Sequence, residues 1–208
     1  MTSDTRARLL QQAEILIRTR GYSAFSYADL AERVAITKAS VHHYFPTKDA
    51  LIAVLVDEYM ARFVVTLDVI GRKRATASYK LRAYARLFLD GFKQGMLPLC
   101  GALSAERSAL PVAMHPQIAV FFQLQLDWLT GIIRQGAADG ALRTDAAPAQ
   151  AALLLLSTLE GGSFVGWALE KKAPVLAAFE SALRTLETSV PPRSNRSRRS
   201  LRSPVKPL

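Results

Sequence analysis

The sequence predicts an all-α chain of about nine helices, and three observations carry that expectation. Apolar residues recur at three- and four-residue intervals through almost every segment, the spacing of one helix face. No segment alternates apolar and polar residues, and no pair of such runs flanks a hairpin turn. Ser, Thr and Asp stand where helices would begin, and Gly and Pro where they would end. Half of the 208 residues are apolar. That is enough for a real core, in one domain or two small ones.

The first helix is expected over 4–20, with Leu9, Ala13, Leu16 and Ile17 on one face. Arg18 and Arg20 suit its C-terminal dipole and Gly21 its stop. Tyr22 and Phe25 read as core beneath the next two helices. Arg6 and Arg8 read either as phosphate contacts or as solvated cations.

Ser26 followed by Asp29 fits a capping box, in which hydroxyl and carboxylate satisfy amides at a helix start. Ala28, Leu30, Ala31 and Val34 give this second helix an apolar face. Ala35-Ile36-Thr37 is a turn. Thr37 is a good N-cap for a third helix anchored by Val41 and Phe45 at i and i+4. Between the anchors, Lys38, Ser40, His42, His43 and Tyr44 are polar or half-polar. A short helix with one narrow apolar side and one hydrogen-bonding side suits insertion into a major groove. Pro46-Thr47-Lys48-Asp49 stops it and caps the next helix.

These residues resemble the TetR-type bacterial transcriptional repressors. The likeness rests on Leu30-Ala31, on Val34 through Val41, on His42-His43-Tyr44-Phe45-Pro46-Thr47-Lys48 and on Ala50-Leu51. It covers the first 51 residues; beyond them only size and helical pattern agree. It implies an N-terminal three-helix helix-turn-helix DNA-binding domain over 1–48. A C-terminal helical ligand-binding and dimerisation domain would occupy 49–190.

The DNA-contact set implied is Ser26, Tyr27, Thr37, Lys38, Ala39, Ser40, His42, His43, Tyr44 and Lys48. Thr37, Lys38, Ser40 and His43 would face the groove, and Tyr44 and Lys48 would hold phosphates. Two positions depart from the family pattern. The usual turn glycine is Ala35, so either an Ala is held at positive φ at a cost on the order of 1 kcal/mol or the turn has another shape. A usual tyrosine is His42, whose titration would make binding pH-sensitive.

The next helix is expected from about 47 to 70, with Leu51, Leu55, Tyr59, Phe63 and Leu67 inward. Gly71-Arg72-Lys73-Arg74 is a basic loop. Further helices are expected near 78–93, 99–109, 117–138, 144–170 and 174–189. Thr144-Asp145 would cap the penultimate one. Its segment AALLLLSTLEGGSFVGWAL is apolar nearly all round, so it should be buried on more than one side. Gly161, Gly162 and Gly166 there would allow close backbone approach, a bend or room for a ligand. The last two helices, paired with their copies, would make a four-helix dimer interface.

A small, mainly apolar or aromatic effector is expected. Phe63, Tyr84, Phe88, Phe92, Met96, Cys100, Phe121, Phe122, Phe164 and Trp167 are the candidates to line its pocket, and most of them must be ordinary core. Cys100 lies in a segment, LPLCGALSAE, similar to family members that sense oxidants or electrophiles, so a redox-sensing repressor is one alternative. An effector-free DNA-binding protein controlled by a protein partner is another.

No nucleophile elbow, phosphate-cradling loop, HExxH or CxxC is present, so no enzyme is expected. Neither is a cofactor, or a metal site at His42 and His43, because adjacent helical residues diverge by about 100°.

The net charge is +10. Six of those charges (Arg193, Arg196, Arg198, Arg199, Arg202 and Lys206) lie in a Ser- and Pro-rich stretch from Pro191 that reads as disordered. It reads either as a nonspecific attractor of phosphate or acidic lipid or as a plain solvated terminus. The rest carries +4, so the motif says more about DNA than the charge does. No secretory pattern begins the chain, no charge-free run reaches the about 18 residues of a membrane span, and one cysteine suits a reducing cytoplasm.

Overall fold

The computed structural model describes residues 2–143 and 146–188. They form nine α-helices and one short 3₁₀ turn, and no strand is found among them. The helices are α1 (Thr2–Arg20), α2 (Tyr27–Val34), α3 (Lys38–Tyr44), α4 (Lys48–Gly71), α5 (Ala77–Lys93), α6 (Leu99–Ala105), α7 (His115–Ala138), α8 (Pro148–Ala168) and α9 (Ala173–Leu186). A lone antiparallel bridge joins Leu142 to Glu187. The expected cap at Thr144-Asp145 and the basic stretch from Pro191 lie outside the described residues.

Two apolar clusters organise the chain. The first gathers α1, α2 and α3 with Leu51, Ile52, Leu55 and Val56 of α4, Leu99 and Leu103 of α6, and Ile118 and Phe121 of α7. The second gathers Leu67 of α4 with α5, the rest of α7, α8 and α9. Helix α4 therefore runs from one core into the other. The expected boundary at residue 48 falls inside the first core, because the first two turns of α4 pack with the head.

Local signals set most of the helix ends. Thr37, Thr47 and Thr76 each accept the amide three residues on, at 3.1, 3.1 and 3.3 Å. Pro116, Pro148 and Pro174 sit in the first turns of α7, α8 and α9, where a missing N–H costs nothing. Helix α6 stops at Ala105, short of the expected 109, and the next side chain, Glu106, reaches back to the head. Ala28 is exposed rather than part of the apolar face of α2; Tyr27 takes the buried position.

Helix α8 packs on α9 so closely that a Cβ at Gly162 would come within 2.7 Å of Pro174 O, and one at Gly166 within 2.8 Å of Lys171 O. Those two glycines serve backbone approach. Gly161 meets nothing within 4 Å and belongs to an exposed stripe that also holds Leu153, Leu154, Phe164 and Val165. By length and composition α8 could cross a bilayer. Its other face is buried against α7 and α9, as in a core helix. Arg82 ties α5 to α9 through Glu180 at 3.1 Å and Glu187 at 2.9 Å.

Candidate nucleic-acid interface and effector cavity

The head is built from reciprocal caps. Ser26 N donates to Asp29 Oδ2 at 2.7 Å, and the Ser26 hydroxyl lies 3.4 Å from Asp29 N, so the capping box is formed. These bonds to Ser26 hold the Asp29 carboxyl below its usual range. Helix α2 ends at Ala35, which is left-handed at φ 57°, ψ 49°. Ile36 N reaches back to Ala31 O at 3.0 Å, the six-to-one bond of a Schellman ending. The turn thus keeps the shape a glycine would favour and carries a Cβ in it.

Thr37 then starts α3, its hydroxyl 2.8 Å from that of Ser40. Val41 and Phe45 are buried in the first core. With that side anchored, Lys38, Ala39, His42 and His43 are exposed, and Ser40 and Tyr44 are half-buried. His42 Nδ1 lies 3.2 Å from Pro46 O, and its ring meets Tyr27 edge-on at 4.8 Å. A carbonyl only accepts, so this contact places the proton on Nδ1. The His43 and Tyr44 rings also meet edge-on, at 5.7 Å.

Two residues expected at the duplex are turned elsewhere. Tyr27 is buried, and its hydroxyl donates to Phe45 O at 2.9 Å. Lys48 points back into the head: Nζ donates to Tyr22 O at 2.5 Å and Phe25 O at 2.7 Å, over the rings of both residues. Burial lowers its pKa against the pull of Glu106 and Asp49. The carbonyls of the 22–25 turn take the ammonium because α2 begins only after them. Arg6 and Arg8 are likewise engaged. Arg6 pairs with Glu58 at 2.9 Å and lies over Phe45, and Arg8 caps Val34 O at 3.0 Å.

Between the central helices lies a small cavity of about 30 Å³. Of the expected lining, Phe63, Phe88 and Phe121 are there. Tyr84 is fully buried beside it, its hydroxyl donating to Gln125 Oε1 at 2.8 Å. Phe92 and Met96 lie toward open grooves, and Phe122 packs between the two cores. Phe164 and Trp167 are exposed on α8 instead of lining the cavity, because the buried face of that helix is given to Leu155, Leu159, Gly162 and Gly166.

The polar part of the lining lies outside the expected set. It comprises Arg18, Tyr59, Gln125 and Glu160. Glu160 left a signal: it is the single charge between Ala147 and Leu169. Burial raises its carboxyl from 4.5 to about 7.

Cys100 lies in the buried face of α6, 1% exposed, and burial pushes its thiol far above the ordinary range, with Glu160 adding to the effect. A sensor thiol needs access and a lowered pKa. The structure gives Cys100 neither, so the redox alternative loses its chemical basis. No cluster of three metal-ligating side chains occurs among the described residues.

A sequence model described as "Bacterial regulatory proteins, tetR family" matches residues 9–55, which spans α1 to the first turns of α4. A search of curated protein sequences finds no significant match. Solved structures match almost the whole chain. A transcriptional regulator of the TetR family from Agrobacterium tumefaciens is 27% identical, with a TM-score of 0.86 over 90% of this chain and 100% of that one. A TetR transcriptional regulator from Legionella pneumophila is 24% identical, with a TM-score of 0.79 over 86% and 96%. The regulatory protein TetR from Rhodobacter sphaeroides is 20% identical, with a TM-score of 0.81 over 86% and 97%. Residues 9–55 thus match the sequence model of the tetR-family regulatory proteins, and the chain as a whole has the fold of solved TetR-family transcriptional regulators.

Proposed function

We propose that the protein is a cytoplasmic repressor. Two copies bind an inverted-repeat operator, and a small molecule entering the cavity between the central helices releases them. The observation that carries the DNA half is α3 itself, with Val41 and Phe45 sealed in the core and Lys38, Ala39, His42 and His43 bare on the other side. In a two-fold pair, such helices would sit about 34–36 Å apart, one duplex turn.

The pairing surface we assign is the exposed stripe of α8, Leu153, Leu154, Gly161, Phe164 and Val165, beside exposed small residues of α9 such as Ala177, Ala178 and Ser181. A second copy would bury this apolar area and make a four-helix seam.

The mixed lining of this small cavity, phenyl rings beside Arg18, Gln125 and Glu160, favours control by a small effector over control by a protein partner alone. Helix α6 supports a route from cavity to head. Pro98, just before it, lines the cavity. Glu106, just after it, accepts the Tyr22 amide at 2.6 Å and the Ser23 amide at 2.9 Å. An effector that prefers one placement of α6 would shift the head by that difference in affinity.

Selection from a random duplex library with the purified protein tests the DNA reading. An enriched inverted repeat with half-sites one turn apart, lost in His43→Ala, is the expected result. Failure to enrich any sequence, or equal enrichment by His43→Ala, would overturn it.

A further inference from the structure

The carboxylate of Glu160 is the feature of the cavity that an apolar effector leaves unexplained. Its Oε2 is buried and, among the described residues, has no hydrogen-bond partner. A buried charge without a partner costs far more free energy than a neutral Gln or Leu at the same place. The fold also makes room for it: a Cβ at Gly101 on α6 would collide with the Glu160 carboxyl.

Five helices bring polar or titratable groups toward this carboxylate, and none of these groups neutralises it. Arg18 of α1 lines the same cavity, but its Nε donates to Leu97 O at 2.7 Å and its NH1 to Glu14 at 2.8 Å. Tyr59 of α4, Tyr84 of α5 and Cys100 of α6 are held in their neutral forms by burial. From α7 comes Gln125, whose Oε1 is already taken by Tyr84. Around them stand the rings of Phe63, Phe88 and Phe121. Ring faces carry negative potential and favour a cation placed over them.

We infer that the cavity selects a small amphipathic amine, its ammonium on Glu160 and its apolar body against the phenyl rings. The inference rests on the effector reading above and narrows it, since a wholly apolar ligand would leave Oε2 unpaired. The cavity itself is about 30 Å³, so the surrounding rings must part to admit even a molecule of one ring and a short chain. Because burial raises the Glu160 carboxyl to about 7, an ammonium binding below neutral pH must displace a proton.

The test uses the full-length protein and three probes of one shape: 2-phenylethylammonium, 2-phenylethanol and 3-phenylpropionate. Calorimetry at pH 7.5 should show the ammonium binding at least about ten-fold tighter than the alcohol, with the carboxylate probe weakest. Glu160→Gln should bring ammonium and alcohol to the same affinity.

In wild-type protein at pH 6, ammonium binding should release close to one proton, read from two buffers of different ionisation enthalpy, and the alcohol none. This second readout stands even if the variant folds poorly. Equal binding of ammonium and alcohol, a preference that survives in Glu160→Gln, tighter binding of the carboxylate probe, or no binding at all would each overturn the inference. Duplex selection is a separate measurement, so its success or failure is read independently.

Discussion

Glu106 and Lys48 hold the same residue from opposite sides: Glu106 accepts the amide of Tyr22 and Lys48 donates to its carbonyl. The two charges pull each other's pKa apart, Glu106 downward and Lys48 upward, though burial outweighs the second effect. Gly21 makes this clamp possible. It sits at φ 93°, and a Cβ there would run into the Glu106 carboxylate. A cation that the motif alone would place on DNA is therefore part of the joint between head and body.

Lys48→Ala should change stability more than DNA affinity. It orphans two carbonyls and uncovers two rings, a cost on the order of 1–3 kcal/mol. The expected result is a lower melting temperature with the slope of log affinity against log salt unchanged. Lys38→Ala should do the reverse, lowering that slope by about 1 with little change in melting. A salt titration of each variant, beside its thermal melt, checks both.

Glu106→Gln should loosen the head from the body. Two amides lose a charged acceptor, and charge-assisted bonds are roughly twice as strong as neutral ones. The folded-state pKa of Glu106 lies below the usual carboxylate value. Its contribution is therefore present above the unfolded pKa and is lost as pH falls through the folded one. Hydrogen exchange at Tyr22 and Ser23 should quicken in the variant at neutral pH and differ little from wild type in strong acid.

Glu160 should show the opposite sign. Its folded-state pKa is raised from 4.5 to about 7, so the folded protein is favoured by protonation. The stabilising term is full below about pH 4.5 and is lost as pH rises through 7. The difference is on the order of 3 kcal/mol. Glu160→Gln should therefore melt higher than wild type at pH 8 and close to it at pH 4.5. Equal melting at both pH values would contradict the burial of this carboxyl.

Ala35→Gly should stabilise the head by on the order of 1 kcal/mol, because Ala35 is held at φ 57° where a Cβ is strained. Chemical denaturation reads this directly. The turn geometry is already present, so DNA affinity should stay within about two-fold.

Leu154→Arg should break the proposed pairing without touching either core, since Leu154 is 47% exposed on the outer stripe of α8. Sedimentation should show a monomer with an unchanged melting profile at low concentration. Operator affinity should fall by at least about 10²-fold, because one half-site must then be bound without its twin.

Residue order alone was enough to set the helices and the bare face of α3. Those depend on neighbours a few residues apart: Thr37 on Ser40, Ala35 on Ala31, Val41 on Phe45. The end of α6 departs from its local pattern because the contact beside it is long-range, the Glu106 carboxylate reaching the amides of Tyr22 and Ser23. The destinations of the charges were settled only by packing. Lys48 faces inward because the 22–25 turn presents carbonyls to it, and among the described residues Glu160 Oε2 lacks a hydrogen-bond partner because α1, α4, α5, α6 and α7 bring it none. Hydrogen-bond capping acts within one helical turn and is written in residue order. The solvation of a buried charge depends on every element packed around it, and that exists only after folding.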